Sequence, residues 1–334
     1  MTSAKKNITI NVATAFSGIG SPEQALHKLG VNTNIIFAGD IDEFCRQTYF
    51  ANFDITEENW HSDVREFDAT PYRNKVDLFI GGSPCQSFSV MGKRKGLDEA
   101  RGTLFYEYAR IVQEVQPKVF IYENVTGLLN HDGGKTWEVI SNIFNELEYF
   151  WVKWILNAKD FGLAQNRRRV FVVGFRKDLL NYFNTLNEPP KQELKSVVEN
   201  YLDKDVPNKY YLPIKGFNRV IDPKQIKHIA LNSKISRCQV ACQQYNWFGD
   251  MRFESEIPNR IEEDARIHKG IYKGVRGVAR TLTPRECLRL MGFPDSFKIV
   301  VNDTQQYRQS GNSIAVNVIE AIEQSIINTG VFDF

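Results

Sequence analysis

The first half of the chain alternates short apolar segments, rich in β-branched residues, with amphipathic segments. Ile8 to Phe16, Val76 to Ile80 and Lys118 to Tyr122 have the composition of buried strands, and Thr103 to Val115 has the spacing of a helix. Strands separated by helices pair in parallel, because each helix carries the chain back across the sheet. The sequence therefore predicts an α/β fold with a mostly parallel sheet and helices on both of its faces.

The pattern changes in the second half of the chain. After Arg176 the sequence becomes polar, irregular and richer in proline, and its periodicity is weak. Helical signals return at Thr283-Pro284-Arg285-Glu286, which has the sequence of a capping box with proline at the first helical position. We expect a large α/β domain formed by residues 1–178 and 278–334, interrupted at residues 179–277 by a smaller domain of short strands and loops.

Composition and charge exclude several classes of protein. Of 334 residues 42 are basic and 40 acidic, so the net charge of +2 neither requires nor excludes nucleic acid, and any basic surface must be local. No apolar run reaches the ~18 residues of a membrane span, and the N-terminus lacks the apolar region of a signal peptide, so we expect a cytoplasmic protein. The five cysteines are scattered, which favours reduced thiols. We expect no metal site, since no second pair of ligands accompanies Cys238 and Cys242.

A glycine-rich turn, Phe16-Ser17-Gly18-Ile19-Gly20, follows the first predicted strand, and Ser21 is the expected N-cap of the next helix. Such glycines let the backbone approach a ligand, and the helix N-terminus presents free N–H groups. Asp40 ends the second predicted strand about twenty residues later, where a carboxylate can accept hydrogen bonds from ribose hydroxyls. These features predict an adenosine-containing cofactor without separating NAD from S-adenosylmethionine, and the absence of a third glycine disfavours NAD.

Two further motifs follow predicted strands, at the edge where open α/β sheets bind ligands. Cys85 lies in the loop Gly81-Gly82-Ser83-Pro84-Cys85-Gln86-Ser87-Phe88-Ser89. A cysteine in such a loop is a candidate nucleophile, and the alternative is a small buried apolar residue. Glu123, after the strand that ends at Tyr122, is a candidate for exchanging a proton or orienting a substrate. The alternative for Glu123 is a surface acid that caps the next turn.

Polar motifs also precede later elements of the chain. In Gln165-Asn166-Arg167-Arg168-Arg169, alternation along a strand predicts that Arg167 and Arg169 point to the same side. Gln309-Ser310-Gly311-Asn312-Ser313 is typical of a turn that caps the last helix, which we expect from about Ser313 to Ile327.

Taken in order, these motifs resemble those of the C5-cytosine DNA methyltransferase family, in its stand-alone bacterial or phage form. The matching blocks are F-x-G-x-G at Phe16–Gly20, G-G-S-P-C-Q-S-F-S at Gly81–Ser89, R-G-T-L-F at Arg101–Phe105, E-N-V at Glu123–Val125, Q-x-R-x-R at Gln165–Arg169, T-P-R-E-C-x-R-L-M-G-F-P-D at Thr283–Asp295 and G-N-S at Gly311–Ser313. The resemblance implies a Rossmann-like methyltransferase domain that uses S-adenosylmethionine. It also implies that residues 179–277 form a small, mostly irregular and β-structured target recognition domain.

The resemblance implies specific catalytic roles. Cys85 corresponds to the nucleophile that attacks C6 of a flipped-out cytosine in duplex DNA, and Glu123 to the residue that protonates or hydrogen-bonds N3. Arg169 corresponds to the arginine on the base carbonyl O2, and Arg167 to one close to both the site and the DNA backbone. The expected activity is that of a DNA (cytosine-5-)-methyltransferase, acting in restriction-modification or in phage self-protection.

The resemblance also implies binding residues. The cofactor-binding residues are expected to be Phe16, Gly18, Ile19, Gly20, Asp40, Ile41, Asp63, Val64, Pro84, Leu104, Asn312 and Ser313. The DNA-binding residues are expected to be Ser87, Ser89, Lys93, Arg94, Lys95 and Arg167. Two departures from the family pattern affect the cofactor turn: many members have an acid where this chain has Thr14-Ala15, and a third glycine where it has Ser21.

Three other functions compete with this interpretation. An RNA cytosine methyltransferase shares the fold, but the chain lacks the Cys-Phe-Thr segment expected of that branch. A non-catalytic relative would have lost Cys85, Glu123 or Arg169, and all three are present. A thiol hydrolase needs a histidine partner, and none of the five histidines lies in a comparable motif. We expect a monomer acting on double-stranded DNA, while the target sequence and any cognate restriction endonuclease are not readable from the chain.

Overall fold

The computed structural model describes residues 8–84, 103–225, 227–242 and 247–333. The chain forms two compact units. The first comprises Met1–Asn157, Arg168–Lys191 and Ile314–Phe334, and the second comprises Ala158–Arg167 and Gln192–Ser313. In the described part of the chain, no helix combines the length and the apolar character needed to cross a membrane.

The first unit is built on a six-stranded sheet. Its strands are β1 (Thr9–Ala15), β2 (Asn32–Phe37), β3 (Leu78–Gly81), β4 (Val119–Val125), β5 (Tyr149–Asn157) and β6 (Arg168–Arg176). They are ordered β2-β1-β3-β4-β6-β5. The first four are parallel, whereas β6 runs antiparallel to both β4 and β5. The predicted α/β fold with a mostly parallel sheet is therefore confirmed.

Helices accompany this sheet at positions that the sequence signals. They are α1 (Ser21–Leu29), α2 (Glu43–Asn52), α3 (Leu104–Val115), α4 (Lys135–Glu146), α5 (Leu180–Phe183) and α10 (Val316–Ile327). Thr103 caps α3 through its side chain, and Gly30 ends α1 in the left-handed conformation. The expected N-cap of α1 is wrong by one residue, because Gly20 occupies that position with φ of 83° and Ser21 is already helical.

The core of the first unit is aromatic. Phe79, Phe105, Tyr108, Phe120 and Phe144 are fully buried and in mutual ring contact, with β3, β4, α3 and α4 supplying them. Burial of side chains this large is a major part of the free energy that holds the sheet and its helices together. It fixes the ends of β3 and β4, from which the candidate catalytic residues extend.

In its described residues, the second unit contains a smaller sheet and four α-helices. Its strands are β7 (Ile229–Leu231), β8 (Gly249–Glu254), β9 (Gly270–Tyr272) and β10 (Val275–Thr281), in the order β7-β8-β10-β9. Its helices are α6 (Ile214–Ile221), α7 (Asn259–Glu262), α8 (Pro284–Leu290) and α9 (Asp303–Asn312). The capping box predicted at Thr283 is confirmed, since the Thr283 side chain and the Glu286 side chain each bond the other's backbone N–H.

The limits of this unit differ from the expected domain boundaries. The chain enters the first unit for the last time at Ile314, not at residue 278, so β10, α8 and α9 belong with the smaller sheet. Arg280 explains this grouping, because its buried guanidinium joins β10 to Glu254 on β8 and to Glu286 on α8. The expected capping turn at Gln309–Asn312 is wrong: these residues end α9, and the last helix begins only at Val316.

Candidate active site

The glycine-rich turn is held against the end of β2 by hydrogen bonds. The backbone N–H of Gly18 donates to Asp40 Oδ2 at 2.9 Å, and the N–H of Asp42 donates to Asp40 Oδ1 at 2.9 Å. Gly20 is required here, because its φ is 83° and a Cβ would lie 2.2 Å from a ring carbon of Phe53. The turn, Asp40 and the start of α1 are thus one rigid arrangement in the first unit.

The surroundings of Asp40 suit a ribose and a flat base. Two backbone N–H groups orient the Asp40 carboxylate, and a carboxylate is the kind of acceptor that ribose hydroxyls use. Ile41, the next residue, is 72% exposed, so its apolar side chain is open to contact with a flat base. Ile19 is only 1% exposed, so within the turn it can offer a ligand its backbone but not its side chain.

The residues expected at the adenine edge are already engaged. Asp63 accepts from Arg65 Nε at 2.9 Å, and this ion pair holds the pKa of the Asp63 carboxyl below its usual range. The Val64 carbonyl accepts from Arg110 Nη2 at 2.8 Å. Arg65 donates to both carboxylate oxygens of Asp63, so the assignment of Asp63 and Val64 to the cofactor stays a prediction.

The segment that leads to Cys85 is anchored by side chains that the sequence did not single out. Asn124 Nδ2 donates to the Ser83 carbonyl at 2.8 Å and lies 2.8 Å from Tyr122 Oη, while the Ser83 and Tyr122 hydroxyls are 2.9 Å apart. All three side chains are buried. The polar pair Glu123-Asn124 near a strand end was the available signal. Glu123 lies near the end of β4, which extends beyond the predicted last residue Tyr122 and continues through Val125, where it pairs with β6.

Glu123 and Arg169 form an ion pair across β4 and β6. Arg169 Nε lies 3.0 Å from Glu123 Oε1, and both side chains are about one-seventh exposed, at 15% and 14%. The register pairs Glu123 with Phe171, so Arg169 is its diagonal neighbour on the same face of the sheet. A Cβ on Gly82 would lie 3.0 Å from Glu123 Oε2, which puts this pair beside the backbone leading to Cys85.

Arg167 occupies a different environment from Arg169, contrary to the expectation that both point to one side of a strand. β6 begins at Arg168, and Arg167 belongs to the second unit, where it is 3% exposed. Its guanidinium donates to the carbonyls of Gln239 at 2.8 Å, Gly311 at 3.0 Å and Ser313 at 2.7 Å. These bonds favour a structural role for Arg167, and its contact with DNA stays a prediction.

The G-N-S segment lies in the same unit as Arg167. The side chain of Asn312 is exposed, whereas Ser313 is buried and its hydroxyl donates to the Gln309 carbonyl at 2.7 Å. Their assignment to the cofactor stays a prediction, as do those of Pro84 and Leu104. Cys85, Ser87, Ser89, Lys93, Arg94 and Lys95 lie outside the described residues.

Comparison with known proteins identifies the family. A model of the C-5 cytosine-specific DNA methylase family matches residues 10–328. The type II methyltransferase M.SsoII of Shigella sonnei is 36% identical over 318 residues, 94% of this chain and 79% of that protein. The orphan methyltransferase M.SPRI of Bacillus phage SPR is 28% identical, with 96% of this chain and 98% of that protein covered. The crystal structure of the S. pombe Dnmt2 methyltransferase has the same fold, with a TM-score of 0.70 at 20% identity over 96% of this chain and 98% of that one. The chain therefore belongs to the C-5 cytosine-specific DNA methylase family, whose enzymes transfer a methyl group from S-adenosylmethionine to C5 of cytosine in DNA.

Proposed function

We propose that the protein methylates one cytosine within a specific sequence of duplex DNA, through a covalent bond between Cys85 and C6 of the base. The observation that supports this most directly is the Glu123–Arg169 ion pair, with Nε and Oε1 3.0 Å apart. The ion pair sets a carboxyl and a guanidinium side by side next to Gly82. Gly82 is three residues before Cys85 in the chain. A cytosine presents N3 and O2 on one edge, which suits recognition by such a pair.

The proposed chemistry overcomes the low nucleophilicity of the cytosine C5 atom. The Cys85 thiolate bonds to C6, and the electrons of the C5–C6 double bond become available at C5 while Glu123 protonates or hydrogen-bonds N3. Arg169 donates to O2 and stabilises the charge that develops on the ring. S-adenosylmethionine, when bound, supplies the electrophilic methyl group that C5 takes. A base then takes the C5 proton, the electrons of that C–H bond restore the C5–C6 double bond, and the sulfur leaves C6 with its electron pair as the Cys85 thiolate.

This chemistry requires the cytosine to leave the base stack. Inside a duplex, neither face of C6 is open to a thiolate, so we propose that the base is flipped out before reaction. Ser87, Ser89, Lys93, Arg94 and Lys95 are proposed to contact the DNA around the flipped base, because backbone contacts of this kind position a protein on the duplex without reading its sequence.

The methyl donor is proposed to bind at the glycine-rich turn. The turn offers Phe16 and the backbone from Gly18 to Gly20, and Asp40 would accept from the ribose while Ile41 packs on the adenine. The exposure of Ile41 beside a carboxylate held by two N–H groups supports this assignment. The remaining residues proposed for the cofactor are Asp63, Val64, Pro84, Leu104, Asn312 and Ser313.

The proposed biological setting follows from the relatives. Some are named as type II methyltransferases and some as orphan phage enzymes. We propose that this protein acts likewise in restriction-modification or in phage self-protection, as a cytoplasmic monomer, with residues 179–277 choosing the DNA sequence. A cognate endonuclease belongs to the first of these settings only.

Bisulfite sequencing of DNA from cells that express the protein tests the proposal. We expect cytosines that resist conversion at one short recurring sequence, and none in cells that express Cys85→Ser at the same level. Methylation by Cys85→Ser would assign the nucleophile to another residue. Unmodified DNA together with methylated tRNA from the same cells would move the substrate to RNA.

A further inference from the structure

Among the described residues of the first unit, two carboxyl groups outside the residues assigned to chemistry are buried. Glu23 on α1 is 2% exposed, and Glu323 on α10 is 0% exposed. Among the described residues, no hydrogen-bond partner reaches either oxygen of Glu323 or the Oε2 atom of Glu23. A carboxylate buried without donors is strongly disfavoured, so of this pair of acids Glu323, for which the described residues supply no donor, favours the protonated form.

Glu23 has the donors that an ionised carboxylate needs. Its Oε1 accepts from the Thr14 hydroxyl at 2.8 Å and from the Tyr49 hydroxyl at 2.6 Å. Burial raises the pKa of Glu23, but the hydrogen bonds from Tyr49 and Thr14 oppose that effect. Burial also raises the pKa of Glu323, and the charge of Glu23 raises it further. Glu323 is therefore the neutral member of the pair.

The hydrogen bonds from Gly39 through Ser17 and Thr14 to Glu23 form a chain and all run in the same donor-to-acceptor direction. Thr14 has one proton, and donating it to Glu23 leaves its oxygen to accept from Ser17, whose Oγ is 2.8 Å away. Ser17 Oγ also lies 3.0 Å from the Gly39 carbonyl, but a Ser17 proton given wholly to that carbonyl would leave the Thr14 and Ser17 oxygens facing each other without a proton between them. The N–H of Gly39 completes the chain by donating to Ser17 Oγ at 2.9 Å.

The chain ends in the turn assigned to the cofactor. The backbone N–H of Ser17 donates to the Gly39 carbonyl at 2.9 Å, so Ser17 binds Gly39 through both backbone and side chain. Gly18 follows Ser17 in the chain and Asp40 follows Gly39, and the hydrogen bond from the Gly18 N–H to Asp40 orients the Asp40 carboxylate. A change at Ser17–Gly39 is therefore transmitted directly to Gly18–Asp40.

We propose that ionised Glu23 is a positioning residue for the methyl donor. Acting through Thr14 and Ser17, it fixes the glycine-rich turn against Gly39 and Asp40, while Glu323 retains the proton of the pair. The inference rests on the proposed assignment of the turn and Asp40 to S-adenosylmethionine. It assigns a function to two buried acids that take no part in the proposed chemistry.

Thr14→Val tests the chain while leaving both acids in place. Valine matches the shape of threonine but has no hydroxyl. We expect S-adenosylmethionine binding, measured by calorimetry, to weaken roughly ten-fold, the effect of one lost hydrogen bond to a charged network. The KM for S-adenosylmethionine should rise by the same factor while the KM for DNA stays constant. Thr14→Ser keeps the hydroxyl and should recover most of the affinity that Thr14→Val loses.

The two acids are then compared by the same substitution. Glu23→Gln removes the charge and should weaken S-adenosylmethionine binding several-fold. Glu323→Gln replaces a neutral acid with a neutral amide and should change the affinity far less. Glu320→Gln, one turn earlier on α10 in a surface ion pair with Lys28, is the matched control and should leave binding unchanged.

Each result bears on a different claim. Wild-type affinity in folded Thr14→Val and Glu23→Gln would overturn the positioning role. Equal losses in Glu23→Gln and Glu323→Gln would overturn the placement of the charge on Glu23. Absence of S-adenosylmethionine binding by the wild-type protein would contradict the proposed cofactor site itself, and this measurement is made first.

Discussion

The substitution Arg167→Met tests whether this arginine stabilises the second unit or contacts DNA. The guanidinium donates to three backbone carbonyls, those of Gln239, Gly311 and Ser313, at 2.7 to 3.0 Å, and it is 3% exposed. Methionine keeps much of the apolar stem but none of the donors. The substitution would therefore leave three carbonyls in the interior without the partner that satisfies them.

The expected cost is large for a single side chain. Hydrogen bonds to a charged group contribute about 1.5–3 kcal/mol each, but these three share one guanidinium and do not add. A buried carbonyl left without its donor costs about 1–3 kcal/mol, and for three carbonyls that lose one shared donor we expect the free energy of unfolding to fall by about 3–5 kcal/mol. Arg167→Lys keeps the charge but not the planar fork, and about 2 kcal/mol is expected, within what a folded protein tolerates.

Urea unfolding followed by circular dichroism gives the stability, and DNA binding at several salt concentrations gives the electrostatic contribution. A phosphate contact adds about 0.9 to the slope of log K against log salt, whereas a structural arginine leaves this slope unchanged. Arg168→Met alters an exposed neighbour and serves as the control, with stability expected within ~0.5 kcal/mol of wild type. Full stability of Arg167→Lys together with a reduced salt slope would refute the reasoning and assign Arg167 to the DNA.

Three other perturbations have distinct expected outcomes. Glu123→Gln should lower kcat by roughly 10²–10⁴ while S-adenosylmethionine affinity is retained, and single-turnover methylation measures the loss. Arg280→Met should destabilise the protein by ~3–5 kcal/mol in urea, because Glu286 is 0% exposed and accepts from Arg280 at 2.9 Å. Burial raises the pKa of Asp250 to about 6. Since this pKa is above the unfolded value, the stability it contributes is full at low pH and lost as the pH rises through about 6. Asp250→Asn should remove this part of the pH dependence, and thermal unfolding between pH 4 and pH 8 follows it.

The first unit was largely predictable because its signals are local. The apolar spacing from Thr103 to Val115 predicted α3, which runs from Leu104 to Val115. α9 was missed for a physical reason. Its last turn contains Gly311, which disfavours a helix, and a Cβ there would lie 2.2 Å from the Val240 backbone carbon. Tertiary packing thus makes glycine necessary at a position where local propensity argues against a helix.

The candidate site was predictable in its residue types but not in its supporting contacts. Glu23 has the sequence position of a first-turn acid, which is normally exposed, and nothing local indicates that Tyr49 and Thr14 both donate to it. Arg167 is bonded to carbonyls 72 to 146 residues away in the chain. Such partners are fixed only when the whole unit folds, so a pattern read along the sequence cannot supply them.

The Q-x-R-x-R motif has its spacing because the chain changes unit within it. Gln165 Nε2 donates to the Leu290 carbonyl and Arg167 donates to Gly311 and Ser313, so both side chains are used inside the second unit. Arg168 begins β6 of the first unit, and Arg169 is the first residue there that shares a face with Glu123. The two arginines are similar in the sequence but serve different ends: one holds the backbone of its own unit, and the other pairs with the acid of the proposed catalytic site.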